Sequence, residues 1–329
     1  MKRRKFIKLI GGVAASWPLA AHAQSDQIRR VAVILAEAIE DDPEYERRLS
    51  AFKDAFHDLG WIDGKNVKLS VHRAKPGAAD IRKGVAELLA ENPEIIVSGG
   101  GTTILPVLQA TNSVAVVFAT AVDPVGNGFV ESLSHPGGNA TGFMTFDYSL
   151  SAKWLELLKQ ASPSTVRVGV IRDAAAPSGT GQFAVIQSVA GSVGAEVVPI
   201  GLRDASEIES GVAKLAAIPN TGLIATVGAA VIGNRDLILR LATQYRLPAV
   251  YPSRTYVDHG GLISYGADPV KNYRSAAGYV DRILKGEKPA DLPVQAPNKY
   301  DLVVNLKTAK SLGIGLPATL LARTDEVIE

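Results

Sequence analysis

From Val31 onward, short runs of β-branched and aliphatic residues alternate with longer stretches whose apolar positions recur every three to four residues. That alternation is the pattern of strands feeding amphipathic helices around a parallel sheet. It predicts strands at 31–36, 66–72, 94–98, 114–120 and 139–143, helices at 43–59, 78–91 and 102–111, and a shorter helix near 126–133. After Leu150 the alternation restarts: helix 151–161, strand 166–171, helix 180–193, strand 195–200, helix 205–216, strand 221–227, helix 230–245 and strand 248–252. The fold class is therefore α/β, with two doubly wound, Rossmann-like lobes. The halves share architecture without a sequence repeat.

The chain continues with a short apolar strand at 262–265 and a helix over 270–285 that ends at Lys285-Gly286, a basic last turn with a C-cap glycine. Residues 287–298, rich in Pro, Ala and Asp, read as an extended linker before a strand at 300–305 and a helix at 306–312. These elements are too few for a third unit. They are expected to return to the earlier sheets through a multi-strand hinge, with 28–145 and 262–288 forming the first lobe and 146–261 and 289–329 the second.

The 329 residues fit two domains, each large enough for its own core. The absence of cysteine excludes a disulfide scaffold and a thiolate-bound metal. The net charge of +2 is misleading, because Lys2, Arg3, Arg4, Lys5 and Lys8 lie in a segment without acids, and without them the remainder carries −3. A weakly acidic body lacks the cationic footprint that nucleic acid requires, so no nucleic-acid partner is expected. Residues 1–23 join that basic start to an apolar stretch, Leu9 to Ala20, and the small-x-small ending Ala21-His22-Ala23. The segment reads as an export signal cleaved after Ala23, and Arg3-Arg4-Lys5-Phe6-Ile7-Lys8 resembles its twin-arginine form. A periplasmic body, free of a lipid anchor, is expected.

Catalytic signatures are missing: there is no G-x-S-x-G, H-E-x-x-H, Walker loop or complete G-x-G-x-x-G, and His57, His72, His135 and His259 lack metal-ligand spacing. No enzyme activity, metal or cofactor is expected. What stands out instead is a set of polar, Gly-rich loops at the C-terminal ends of strands, where open α/β sheets place ligands. Ser98-Gly99-Gly100-Gly101-Thr102-Thr103 runs from a strand directly into a helix. Its glycines permit close approach, Thr102 or Thr103 can cap the helix, and the free N–H groups favour an anion such as a carboxylate. Asp123 stands at the equivalent edge of the next strand, able to receive an ammonium or hydroxyl group or to cap the short helix after it. Thr226-Val227-Gly228 follows a second-half strand, while Tyr265 and Asp268 lie on the presumed crossing, where a ring and a carboxylate either face a cleft or serve a hinge and cap.

These residues sit in a chain that resembles, over nearly its whole length, the ABC transporter substrate-binding proteins of the tryptophan/tyrosine type. The similarity is carried by LGWIDGKNV, DPVGNGFVESLSHPGGNATGF, KWLELLKQASP and the long tail from RLPAVYPSRTYVDHGGLISYGADP through LPATLLARTDEVIE. The resemblance implies a class I periplasmic-binding-protein fold, a three-stranded hinge and a ligand held between the lobes. It also implies delivery of that small molecule to an inner-membrane permease with its ATPase, by a protein expected to be monomeric. By position, it assigns the pocket to Ala36 and Glu37, to Gly101, Thr102, Thr103 and Asp123, and to Pro177, Thr226, Gly228, Tyr265 and Asp268. The expected function is capture of a small carboxylate-bearing solute, an amino acid or aromatic acid. The alternative is a ligand-sensing subunit of a signalling receptor, which needs the same clamp.

Overall fold

The computed structural model describes residues 28–36, 42–75, 77–174 and 176–329. The segment read as an export signal and Glu37 therefore lie outside the described residues. In chain order the first part comprises β1 (Arg29–Ala36), α1 (Pro43–Asp58), β2 (Val67–Ala74), α2 (Ala78–Ala90), β3 (Ile95–Ser98), α3 (Gly101–Ala110), β4 (Ala115–Val122) and β5 (Ala140–Phe146). It continues with α4 (Leu150–Ala161), β6 (Arg167–Ile171), α5 (Pro177–Ala190), β7 (Glu196–Ile200), α6 (Ala205–Ala216), β8 (Thr221–Ala225), α7 (Ala229–Gly233), α8 (Arg235–Gln244) and β9 (Ala249–Tyr251). The last elements are α9 (Arg254–Asp258), β10 (Ile263–Gly266), α10 (Pro269–Leu284), β11 (Asp301–Asn305), α11 (Leu306–Leu312), α12 (Ala318–Leu321) and β12 (Glu326–Ile328).

The strands form two sheets, β2-β1-β3-β4-β5 and β12-β11-β10-β9-β8-β6-β7. All pairings are parallel except that of β10 with β11. Burial on both faces explains the near-continuous apolar strands. In β1, Val31, Val33 and Leu35 pack with Phe52 and Tyr273, whereas Ala32, Ile34 and Ala36 pack with Ile81 and Ile104 on the opposite face. The first sheet is thus sandwiched between α1 with α10 and α2 with α3. In the second, Val168 and Val170 join Trp154 and Ile186, while Ile171 and Leu223 join Ile208 and Ile238.

The expected division of the late segment requires correction. Strand β10, within 262–288, pairs with β9 and β11 in the second sheet, and only α10 returns to the first lobe. Residues expected to open the second-lobe tail also stay on the first: Leu292 and Val294 are buried there, Gln295 donates to Gly142 O at 2.9 Å, and Thr141 Oγ1 donates to Leu292 O at 2.6 Å. The extended segment offers apolar side chains and backbone groups to the first sheet, a packing that the Pro-rich composition does not disclose. The chain consequently crosses between the sheets at 147–149, 267–268 and 296–300.

Three further differences have local causes. Residues 126–133 are turns, because Asp123 Oδ1 accepts Gly126 N–H at 2.9 Å and Asn127 Nδ2 donates to Val122 O and Asp123 O. The expected helix 230–245 breaks into α7 and α8 at Asn234, whose side chain donates to Ala230 O at 2.9 Å. The short α9 starts at Ser253, which accepts Thr255 N–H.

The C-terminal strand is held by Lys299, whose Nζ lies 2.8 Å from Asp301 Oδ1 and from Asp325 Oδ1. The Lys299 ammonium, helped by Leu302 N–H, holds the Asp325 carboxyl below its ordinary value. A carboxyl lowered by folding stabilises above its unfolded value, near pH ~4, and loses that contribution as pH falls through the folded value. Protection against amide exchange at 326–328, relative to the intrinsic rate at each pH, should therefore fall below about pH 4, with β8 still protected. Simultaneous loss in both strands would remove this local role.

Candidate functional site

The C-terminal ends of β1, β3, β4 and β5 face those of β8, β9 and β10 across a cleft that closes around a cavity of about 90 Å³. On the same measure, about 10–15 Å³ admits one water, so the cavity suits a small solute and excludes a polymer. Gly99 shapes its floor. A Cβ there would stand 2.3 Å from Leu35 Cδ2 and 2.4 Å from the Tyr273 hydroxyl, so no larger residue fits without displacement. Gly99 O accepts Thr120 Oγ1 at 2.8 Å and Tyr273 Oη at 2.7 Å, which fixes the turn into α3. Gly100, Gly101 and Thr102 then line the cavity at the start of α3, a helix without a side-chain cap. Its first N–H groups supply partial positive charge to this wall.

Buried charges complete the wall. Glu44, Arg48 and Arg235 line the cavity and are each at least 93% buried. Pro43 begins α1 and Asp42 caps it, so Glu44 sits in the first turn, where the helix dipole favours an acid. Four residues on, Arg48 donates through Nε to Glu44 Oε1 at 2.9 Å, while Arg47 Nη2 reaches Glu44 Oε2 at 2.7 Å. Burial alone would pull the Arg48 guanidinium down, but Glu44, with Tyr45 and Tyr273, outweighs it and raises the group above its ordinary value. The facing lobe contributes Arg235 and Tyr256, whose hydroxyl donates to Val231 O at 3.3 Å. Burial, reinforced by Tyr251, raises the Tyr256 phenol well above its ordinary value, so it stays neutral. The site thus offers guanidinium and backbone N–H donors beside aromatic faces.

A family model described as ABC transporter substrate binding protein matches residues 30–328. The chain belongs to this family. Among curated proteins, a tyrosine-binding protein of Clostridioides difficile (strain R20291) is 24% identical over 278 residues, covering 83% of this chain and 78% of the relative. Among solved structures, a conserved domain protein of Vibrio cholerae O1 biovar eltor matches with a TM-score of 0.84 and 25% identity, over 92% of this chain and all of that one. A Streptococcus pneumonia ABC domain in complex with L-Trp gives 0.83 at 22% identity, with the same coverage. The ligand-free, open structure of a substrate-binding protein with adhesive properties from Clostridium difficile gives 0.65 at 22% identity, over 92% of this chain and 99% of that one. The structural neighbours share the two-lobed periplasmic-binding fold.

Within this substrate-binding fold, Ala36, Gly101, Thr102 and Gly228 line the cavity. Thr103 does not: its hydroxyl is buried, 2.6 Å from Ser98 Oγ, and donates to Gly100 O, while the cap position belongs to Gly100. Thr226 is turned into the core, donating to Ile171 O at 3.0 Å. Asp123 caps its own turn at Gly126, and Asp268 caps α10 by accepting Val270 N–H at 2.9 Å. Neither carboxylate lines the cavity. Asp268 borders a separate polar groove, and Pro177 lines an adjoining pocket shared with Gly101, Thr102 and Ser178. The Tyr265 ring packs near Tyr300 at 5.8 Å, and its carbonyl accepts Trp154 Nε1 at 2.8 Å. Local motifs did not reveal Glu44, Arg48 or Arg235, which read as polar positions of amphipathic helices. The available signal was Asp42-Pro43-Glu44, a helix start directly downstream of the first strand-end loop.

Proposed function

We propose that this family member is the periplasmic substrate-binding component of an ABC importer, acting without catalysis or a cofactor. After export and removal of residues 1–23, it captures one small carboxylate-bearing solute, an amino acid or aromatic acid, between its lobes. As a monomer it then delivers that solute to an inner-membrane permease driven by an ATPase. The observation carrying this reading is the small inter-lobe cavity, which combines the start of α3 with buried guanidiniums and aromatic faces. The α3 N–H groups and Arg48 suit a carboxylate, and Tyr45 and Tyr256 suit an apolar or aromatic body. The names of a tyrosine-binding relative and a neighbour solved with L-Trp support the amino-acid class. The higher TM-score to the L-Trp complex than to the open, ligand-free protein fits a closed clamp.

Thermal unfolding with L-tyrosine, L-tryptophan, other amino acids, amine-free aromatic acids and sugars tests the proposal. A true ligand at a hundredfold its Kd stabilises by about 2.7 kcal/mol, a shift of several degrees. A shift with amino acids or aromatic acids is expected. A shift confined to sugars would overturn the carboxylate reading.

A further inference from the structure

We infer that Asp42 and Arg235 form an electrostatic latch that favours the closed cleft, whichever solute occupies it. Asp42 precedes α1 in the first lobe, and Arg235 begins α8 in the second. Asp42 Oδ1 is committed to its cap bond with Glu44 N–H at 2.9 Å. Its Oδ2 is buried and has no hydrogen-bond partner among the described residues, but Arg235 Nη1 faces it from the other lobe at 3.6 Å. The two side chains are 1% and 8% exposed, so closure removes almost all water from both. Arg235 Nε also meets Asp236 Oδ1 at 3.0 Å, but that carboxylate is 69% exposed and belongs to the same helix, so it travels with Arg235 when the lobes part. Among the described residues, Asp42 is the cross-lobe counter-charge.

The geometry gives this contact a bias of limited strength. At 3.6 Å the groups attract without a hydrogen bond, and their desolvation opposes the attraction. Opening the cleft returns both charges to water, so neither state strands a charge. Removing one partner alters that balance. The remaining charge would be buried without its cross-lobe counter-charge on closing, yet solvated on opening. Ala229 adds a second, apolar contact across the cleft, buried among first-lobe residues from the second-lobe side. Because Arg235 also lines the cavity, the residue that senses the ligand space is the one that holds the lobes together.

Single-molecule energy transfer between the lobes tests the inference. The chain has no cysteine, so Lys83→Cys on α2 and Ala184→Cys on α5 give two unique dye sites, one on each lobe. The full-length labelled protein is compared with its Asp42→Asn, Arg235→Gln and double variants, first without ligand. Asparagine caps a helix as well as aspartate, and circular dichroism checks the fold of each variant. Each single substitution is expected to lower the closed fraction at least tenfold, and the double variant to regain part of that loss. Unchanged distributions in the single variants overturn the latch, as does a double variant whose loss equals the product of the two single losses. L-tyrosine and L-tryptophan are then added to the unsubstituted labelled protein. Failure of both to close it, with the ligand-free difference intact, counts against the amino-acid reading and leaves the latch standing.

Discussion

Replacing Arg48 by methionine is expected to destabilise the folded protein by about 3–5 kcal/mol, because it strands Glu44 as a buried charge. Glu44 would keep Arg47, but the Arg47 side chain is 53% exposed and offers a solvated charge, against 8% for that of Arg48. Methionine preserves most of the aliphatic bulk beside Tyr45, so the loss is electrostatic more than steric. Denaturant unfolding at neutral pH measures it. Adding Glu44→Gln to the Arg48→Met variant should recover most of the stability, since two neutral groups leave no buried charge. Ligand binding should stay weak in both variants, because the cavity wall has lost a guanidinium. Full affinity in Arg48→Met would remove this residue from the site.

Alanine at Gly142 should be still more damaging. Gly142 lies in β5 at φ 146°, and a Cβ there would fall 2.0 Å from Phe118 O and 2.7 Å from Phe118 N. Those atoms belong to the backbone of β4, which is hydrogen-bonded into the sheet and cannot step aside. A loss above ~4 kcal/mol is expected, visible as a sharply lowered Tm or as failure to accumulate in soluble form. Gly128→Ala is the control. Gly128 has φ 69° but nothing within 4 Å of its missing Cβ, so only the cost of the left-handed backbone, about 1–2 kcal/mol, should appear. Similar losses at the two positions would show that conformation, not collision, governs Gly142.

Much of the fold was legible because buried parallel strands declare themselves as apolar β-branched runs. VAVILA and EIIVS in the first sheet and VRVGVI in the second are unmistakable as such, and the restart of the alternation after Leu150 predicted two lobes. Lobe membership after Tyr256 was less legible. Apolar periodicity shows that α10 has a buried face, but only the fold shows that Tyr273, Ala276 and Val280 press that face against the first-lobe core. The site divides in the same way. Gly-rich strand ends pointed to Gly101, Thr102 and Gly228, while the loops could not reveal whether a hydroxyl turns inward. Thr103 and Thr226 satisfy buried backbone groups instead. Asp42 and Arg235 are far apart in sequence, and only the fold brings them to face each other across the cleft.

The return of α10 and Leu292 to the first lobe has a consequence for synthesis. A ribosome making this chain completes β1 to β5 early, yet the helix and extended segment that cover one face of that sheet emerge only after all of α4 to β10. Domains of continuous sequence can fold in turn as they leave the exit tunnel. Here the lobe begun first is completed only after most of the second has been made. Until Leu292 emerges, the Phe52 and Phe56 face of α1 lacks its native cover, a nascent surface suited to a holding chaperone.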